Sequence, residues 1–375
     1  MGRSIGRGRG AGAEAVIGVV VLAVVLATCA MLAARPLPAT PAAASFVPTT
    51  RPGGSSPLSG PGSSADPASS PGSTPTVASP WLLPPFDPAV AAQTTYRQPG
   101  FATVLNLPFT SPVGCGPVSC QLMLDAYVPV GPGPFPTVVL LRGGPSGFGG
   151  RAYLNSFAAE LATRGVLVFN ADYRDIAGRG GGYPTAFEDV ACAVRFARSA
   201  ASGYHGQSGL VTLVGHSLGG WVGSVVALDD QEFGGGCLAG GSGRPDAFVG
   251  LAGNYQIAGG GNDSDLFKFF GGGPADTAAA RSASDPFGYA GGEPIPVRLV
   301  AGTADTTVDP VASSALDAFL VSRGWNVGLT MVPGGSHMSI LRLDCAATWS
   351  GIFSAISAAA SGAGAIDPQK ARTGR

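Results

Sequence analysis

One serine in this 375-residue chain sits where its hydroxyl could become a nucleophile. Residues 211–220 read Val-Thr-Leu-Val-Gly-His-Ser-Leu-Gly-Gly, a G-x-S-x-G pattern with an apolar run before it and an amphipathic helix expected after it, over 218–228. A turn that sharp strains the serine, and Gly215 and Gly219 must be small because side chains there would meet neighbouring backbone. Ser217 then projects above a sheet edge at a helix N-terminus, where the dipole and free N–H groups favour a developing oxyanion. A hydroxyl is a weak nucleophile and needs a base. The chain has three histidines. His216 adjoins the serine, and the elbow should send its side chain another way. His205 lies earlier, in a Gly-Tyr-His-Gly loop. His337 follows the last predicted strand, within Pro333-Gly334-Gly335-Ser336-His337-Met338. A loop at the C-terminal edge of a parallel sheet is where a site belongs, so His337 is the expected base.

An orienting acid should follow a strand between these two. Asp305 does so, after Val297-Arg298-Leu299-Val300-Ala301-Gly302, with Asp309 as its competitor. Its carboxylate would fix the histidine tautomer and stabilise the imidazolium. An oxyanion hole needs two backbone donors. Leu218, just after the serine, is one. The other should come from the glycine-rich loop at 142–150. Pro145 has no N–H, which leaves Gly143 or Gly144. No Gly-Lys-Ser/Thr closes that loop, so a phosphate loop is disfavoured. There is no CxxC pair or Cys/His cluster, so zinc is not expected. The chemistry calls for no cofactor or metal.

These residues need a frame. Short apolar runs at 137–141, 166–170, 210–214, 248–252, 297–301 and 327–332 read as strands. Segments at 153–163, 187–200, 218–228, 311–323 and 346–360 read as helices, the second with Val190, Val194 and Ala197 on one stripe and Arg195 and Arg198 outward. Such alternation predicts an α/β fold with a mostly parallel sheet, and continuous apolar strands predict a sheet covered on both faces.

Hydrophobic residues make up 45% of the chain, enough for a core, which excludes wholesale disorder. A formal net charge of −1 leaves no field to attract nucleic acid. Arg3, Arg7 and Arg9 precede an uncharged apolar run at 15–34, which reads as a signal peptide or, given its span of the hydrocarbon core, an uncleaved anchor. Leu26-Ala27-Thr28-Cys29 also resembles a lipoprotein cleavage box. The basic flank at 1–14 should stay inside, placing the rest outside the cytoplasm. Residues 35–80 are dominated by Pro, Ser, Gly, Thr and Ala and read as a disordered tether. That leaves 81–362 as the folded domain and 363–375 as a tail. Cys115 and Cys120 flank a turn-like stretch, where a disulfide fits an exported protein. Cys192, Cys237 and Cys345 leave one odd thiol.

From about Thr103 to Ala360 the chain resembles an α/β-hydrolase, near the esterase branch that includes hormone-sensitive-lipase-like and feruloyl-esterase-like enzymes. The resemblance rests on Arg142-Gly143-Gly144, Asp172-Tyr173-Arg174, Phe187-Glu188-Asp189-Val190, Gly215 to Gly219, Phe248 to Asn254, Gly302 to Asp305, and His337. That branch usually has His-Gly-Gly-Gly, where this chain has Arg142 and Pro145 at the first and fourth places. The resemblance implies about eight strands, with helices on both faces. It also implies variable insertions at 229–243 and 259–292, where Phe267, Phe269 and Phe270 would line an acyl site or belong to the core. The expected activity is serine-dependent hydrolysis of a small-molecule, lipid or sugar ester by a secreted or membrane-anchored enzyme. A peptidase or acyltransferase on the same fold, and a non-catalytic envelope binding protein, stay open.

Overall fold

The computed structural model describes residues 94–144, 150–230, 232–257 and 264–362. The expected anchor, tether and C-terminal tail lie outside the described residues. Among the described residues no helix is long and apolar enough to cross a membrane.

In chain order the strands are β1 (Thr94–Gln98), β2 (Phe101–Pro108), β3 (Val113–Cys115), β4 (Val118–Cys120), β5 (Met123–Pro129), β6 (Phe135–Leu141), β7 (Leu167–Ala171), β8 (Gly206–His216), β9 (Ala247–Leu251), β10 (Val297–Gly302) and β11 (Val327–Val332). The helices are α1 (Asn155–Thr163), α2 (Thr185–Ala200), α3 (Leu218–Leu228), α4 (Ser264–Phe270), α5 (Ala278–Ala283), α6 (Val311–Ser322) and α7 (Ala346–Ala360). Nine strands form one sheet in the order β1-β2-β5-β7-β6-β8-β9-β10-β11, and β3 and β4 form a separate hairpin. From β7 to β11 neighbouring strands are parallel, while β1, β2 and β5 join antiparallel at one end. The sheet is mostly parallel, as expected.

Both faces are covered. Leu140, Val214, Val249 and Val300 share one core with Phe157 and Leu161 of α1 and Trp349 and Ile352 of α7. Phe157 and Trp349 stack with ring centroids 4.7 Å apart. Successive strand residues point to opposite faces. Leu213 and Phe248 accordingly face the other way, against Gly223 of α3. Helix α3 differs from the amphipathic helix expected. Every one of its residues is buried, because α2 covers it on one side and Phe269 and Ser284 on another. Trp221 donates its indole N–H to the Ser284 carbonyl at 2.7 Å. A helix this apolar all round belongs inside.

Two expectations about side chains change. Arg195 is buried rather than outward, donating to the carbonyls of Gly241 and Phe233 at 2.8 and 2.7 Å. With the Phe233 ring stacked on Phe187 and the Cys192–Cys237 bridge, it holds the glycine-rich 232–243 segment against α2. Among the described residues no cysteine is a free thiol. Cys115 bridges Cys120 across the β3–β4 hairpin, as expected, and Cys192 of α2 bridges Cys237. The odd thiol expected among Cys192, Cys237 and Cys345 is therefore corrected; partners are set by proximity in the fold, which spacing along the chain does not reveal.

Candidate active site

Strand β8 ends at His216 and α3 starts at Leu218, which leaves Ser217 alone in the turn with φ 53° and ψ −117°. That left-handed backbone costs a non-glycine residue about 1–3 kcal/mol and persists only where its surroundings impose it. Here the Ser217 N–H donates to the Leu251 carbonyl at 2.8 Å, and its own carbonyl accepts from the Trp221 N–H at 3.1 Å. A Cβ on Gly215 would fall 2.2 Å from the Gly219 carbonyl oxygen, and one on Gly219 would fall 2.3 Å from the Arg142 carbonyl oxygen. Both glycines are needed for the reason the sequence suggests.

The loops after β10 and β11 are tied together. The Thr303 N–H donates to Val332 and the Ala304 N–H to Gly335, both at 2.9 Å. The Gly334 N–H donates to the Thr303 hydroxyl at 2.8 Å. This pairing brings His337 Nδ1 within 2.8 Å of Asp305 Oδ2. The other carboxylate oxygen accepts the N–H groups of Thr307 and Val308 at 2.8 and 3.0 Å. Burial alone would raise the Asp305 pKa, but the His337 hydrogen bond and the two backbone donors outweigh it and hold it below the ordinary aspartate value. An ionised Asp305 fixes the His337 ring and keeps its proton on Nδ1. Asp309 does other work: its carboxylate accepts the Val311 N–H at 2.9 Å at the start of α6. His205 precedes β8, at the opposite end of that strand from Ser217.

His216, next to the serine, sends its side chain toward the His337 loop. Its buried ring lies against that of His337, with centroids 4.7 Å apart, and Nε2 is 3.3 Å from the His337 carbonyl oxygen. Burial, and then the neighbouring His337, push its pKa from 6.5 to about 3. The neutral ring can therefore donate Nε2–H to that carbonyl. Tyr153 stacks on its other side at 6.3 Å and donates its hydroxyl to Met338 Sδ at 2.9 Å. Sequence reasoning missed this contact layer, whose only signal was adjacency to Ser217.

The 142–144 stretch runs directly against the elbow. A Cβ on Gly143 would lie 2.7 Å from Ser217 Cβ and 2.8 Å from His216 Nδ1. Gly144 has φ +67°, and its carbonyl accepts from Arg142 Nη1 at 2.6 Å. Leu218 follows Ser217 directly and Gly143 lies against it, with Gly144 next along the loop. The phenylalanines divide. Phe269 is core, against Trp221 at 4.6 Å; Phe270 lies beneath Arg281 at 4.9 Å; Phe267 is exposed.

Two cavities flank α3 and β6. One of about 600 Å³, lined by Tyr183, Asp229, Asp230, Glu232 and Tyr289, sits past the C-terminus of α3. That helix runs about 16 Å from Ser217 to this cavity. The other, about 210 Å³, lies beside Arg142, Gly150 and Tyr173. Among the described residues no group of three or more His, Cys, Asp and Glu could hold a metal ion.

The BD-FAE family profile matches residues 124–320, more than half of the chain, from β5 into α6. The chain belongs to the BD-FAE family. This is an α/β-hydrolase esterase family, and the protein is a carboxylic ester hydrolase. No curated protein sequence matches it. Solved structures share the BD-FAE chain's fold at low identity. A truncated carbohydrate esterase from gut microbiota aligns with TM-score 0.56 and 16% identity, over 68% of this chain and 97% of its own. A thermophilic esterase from the planctomycete Thermogutta terrifontis, with propionate bound, gives 0.52 and 19%, over 69% and 97%. A bifunctional GH43-CE protein from Bacteroides eggerthii gives 0.56 and 23% over 64% of this chain, which spans only 33% of that protein.

Proposed function

We propose that this BD-FAE protein hydrolyses esters through an acyl-enzyme on Ser217, with His337 as base and Asp305 as orienting acid. The observation that carries this reading is the 2.8 Å contact between His337 and Asp305, in a base loop whose carbonyl is met by the residue preceding the strained serine. His337 Nε2 takes the Ser217 proton as Oγ bonds to the ester carbonyl carbon. The N–H groups of Leu218 and of Gly143 or Gly144 receive the oxyanion. The C–O bond to the alcohol breaks as His337 returns the proton to it. Water then adds to the acyl-enzyme by the same proton path and releases acid and free serine.

Ser217→Ala should fold with an unchanged circular dichroism spectrum and lose hydrolysis of short p-nitrophenyl esters. Wild-type turnover in that variant removes the reading. The carbohydrate-esterase neighbours support sugar esters as the first natural substrates to try, in a panel varying acyl and alcohol groups. The apolar run at 15–34 and the disulfides support an exported, membrane-anchored or secreted enzyme.

A further inference from the structure

Arg142 stands where the related esterase loops carry histidine, and it is almost fully buried at 1% exposure. Its guanidinium has a defined set of partners. Nη1 donates to Asp175 Oδ2 at 2.8 Å and to the Gly144 carbonyl at 2.6 Å. Nη2 reaches the Tyr173 carbonyl at 3.3 Å, and the group lies over the Tyr173 ring, 4.7 Å from its centroid. The Tyr173 hydroxyl donates back to the Arg142 backbone carbonyl at 2.9 Å. Asp175 and Tyr173 are themselves buried.

The consequence lies in the two glycines. Glycine has wide conformational freedom and no side chain to fix its peptide planes. Here the carbonyls on both sides of that freedom are held. Tyr173 holds the Arg142 carbonyl, which shares a rigid trans peptide with the Gly143 N–H, so that N–H must point the opposite way. Arg142 holds the Gly144 carbonyl from the other end. The peptide between Gly143 and Gly144 is bracketed by these two held carbonyls. Gly143 meanwhile lies against Ser217 Cβ.

We propose that Arg142, Tyr173 and Asp175 form a positioning device that sets the Gly143 N–H, in the loop against Ser217, for the oxyanion. All three are buried, and they act through the backbone of the loop. The proposal rests on the acyl-enzyme reading of Ser217. It also explains how a loop with arginine and Pro145 in place of the outer residues of His-Gly-Gly-Gly can serve the same chemistry: a forked donor spans from Asp175 to the Gly144 carbonyl and pins the loop from beneath.

The test compares wild type with Tyr173→Phe, Arg142→Lys and the charge-neutral double variant Arg142→Gln/Asp175→Asn. Each is titrated for active sites with a fluorophosphonate. kcat and KM on p-nitrophenyl acetate, and the inhibition constant of an alkyl boronic acid that becomes tetrahedral on serine, are then measured per labelled site. The expected result is a fall of about 10–100-fold in kcat with KM within about twofold, since misplaced oxyanion donors weaken the transition state and not the bound ester. Boronate affinity should fall by the same factor. A purely structural role would lower the thermal midpoint but leave kcat and boronate affinity per labelled site unchanged, and that result overturns the proposal. Failure of wild type to label at Ser217 would instead overturn the acyl-enzyme reading, and the device with it.

Discussion

Asp305 and His337 show how single side chains divide the work at this site. The carboxylate is held ionised by His337 and two N–H donors. Asp305→Asn should keep the fold yet lower kcat by about 10³–10⁴-fold, because an amide can stabilise the wrong histidine tautomer and no imidazolium. Steady-state kinetics on a short ester checks this. His216 carries a different prediction. Its folded pKa of about 3 lies below the ordinary 6.5, so the unfolded chain binds its proton first as pH falls. The stability this neutral histidine contributes is full above about pH 6.5 and drains away down to about pH 3. Thermal unfolding of His216→Asn should therefore show a shallower loss of midpoint over that window than wild type. The proposed triad residues could be nominated from sequence because a chain with three histidines allows elimination and because Ser217 and Asp305 each follow an apolar strand. His216 and Arg142 could not. Their partners are a carbonyl 121 residues away and a carboxylate 33 residues away, and no local pattern encodes either.

At the scale of elements, the legible strands were the parallel ones, since burial on both faces makes them continuous apolar runs. The antiparallel end escaped. β2 carries Asn106 at positive φ beside a register shift, which breaks its alternation. β5 carries Asp125, a residue that argues against a buried strand until Arg151 is seen 2.8 Å away. Two stability predictions belong here. A Cβ on Gly302 would lie 2.1 Å from the Gly335 carbonyl oxygen. Gly302→Ala should push the acid and base loops apart, lower stability by about 1–3 kcal/mol as overpacking does, and reduce activity more than stability alone explains. Urea unfolding beside kinetics on the folded fraction decides it. Cys192 and Cys237 close a loop with a sequence separation of 45. Replacing both with serine should remove about 2–4 kcal/mol by freeing that loop in the unfolded chain, read as a lower urea midpoint under non-reducing conditions with kcat nearly unchanged.

Over the whole molecule, the sheet gathers residues far apart in sequence onto one edge. Ser217 follows β8, Asp305 follows β10, His337 follows β11, and Gly143 follows β6. In this order the parallel strands β6, β8, β9, β10 and β11 are neighbours, so their C-terminal loops converge without long connections. The architecture was readable because each loop residue came with its own strand. The order of strands was not, since nothing local says that β7 passes outside β6. The apolar run at 15–34 bears on where this catalyst works. Expressed with its own N-terminus, the full chain should sediment with membranes, and deletion of residues 15–34 should release it; equal fractionation of both would remove the anchor reading.

The most direct test of the account is the site of covalent attack. Intact-mass and peptide mass spectrometry after fluorophosphonate treatment should show one adduct on the peptide carrying Ser217, absent in Ser217→Ala and sharply slowed in His337→Ala. An enzyme that hydrolyses esters while this serine stays unmodified, or that labels at another residue, would contradict it.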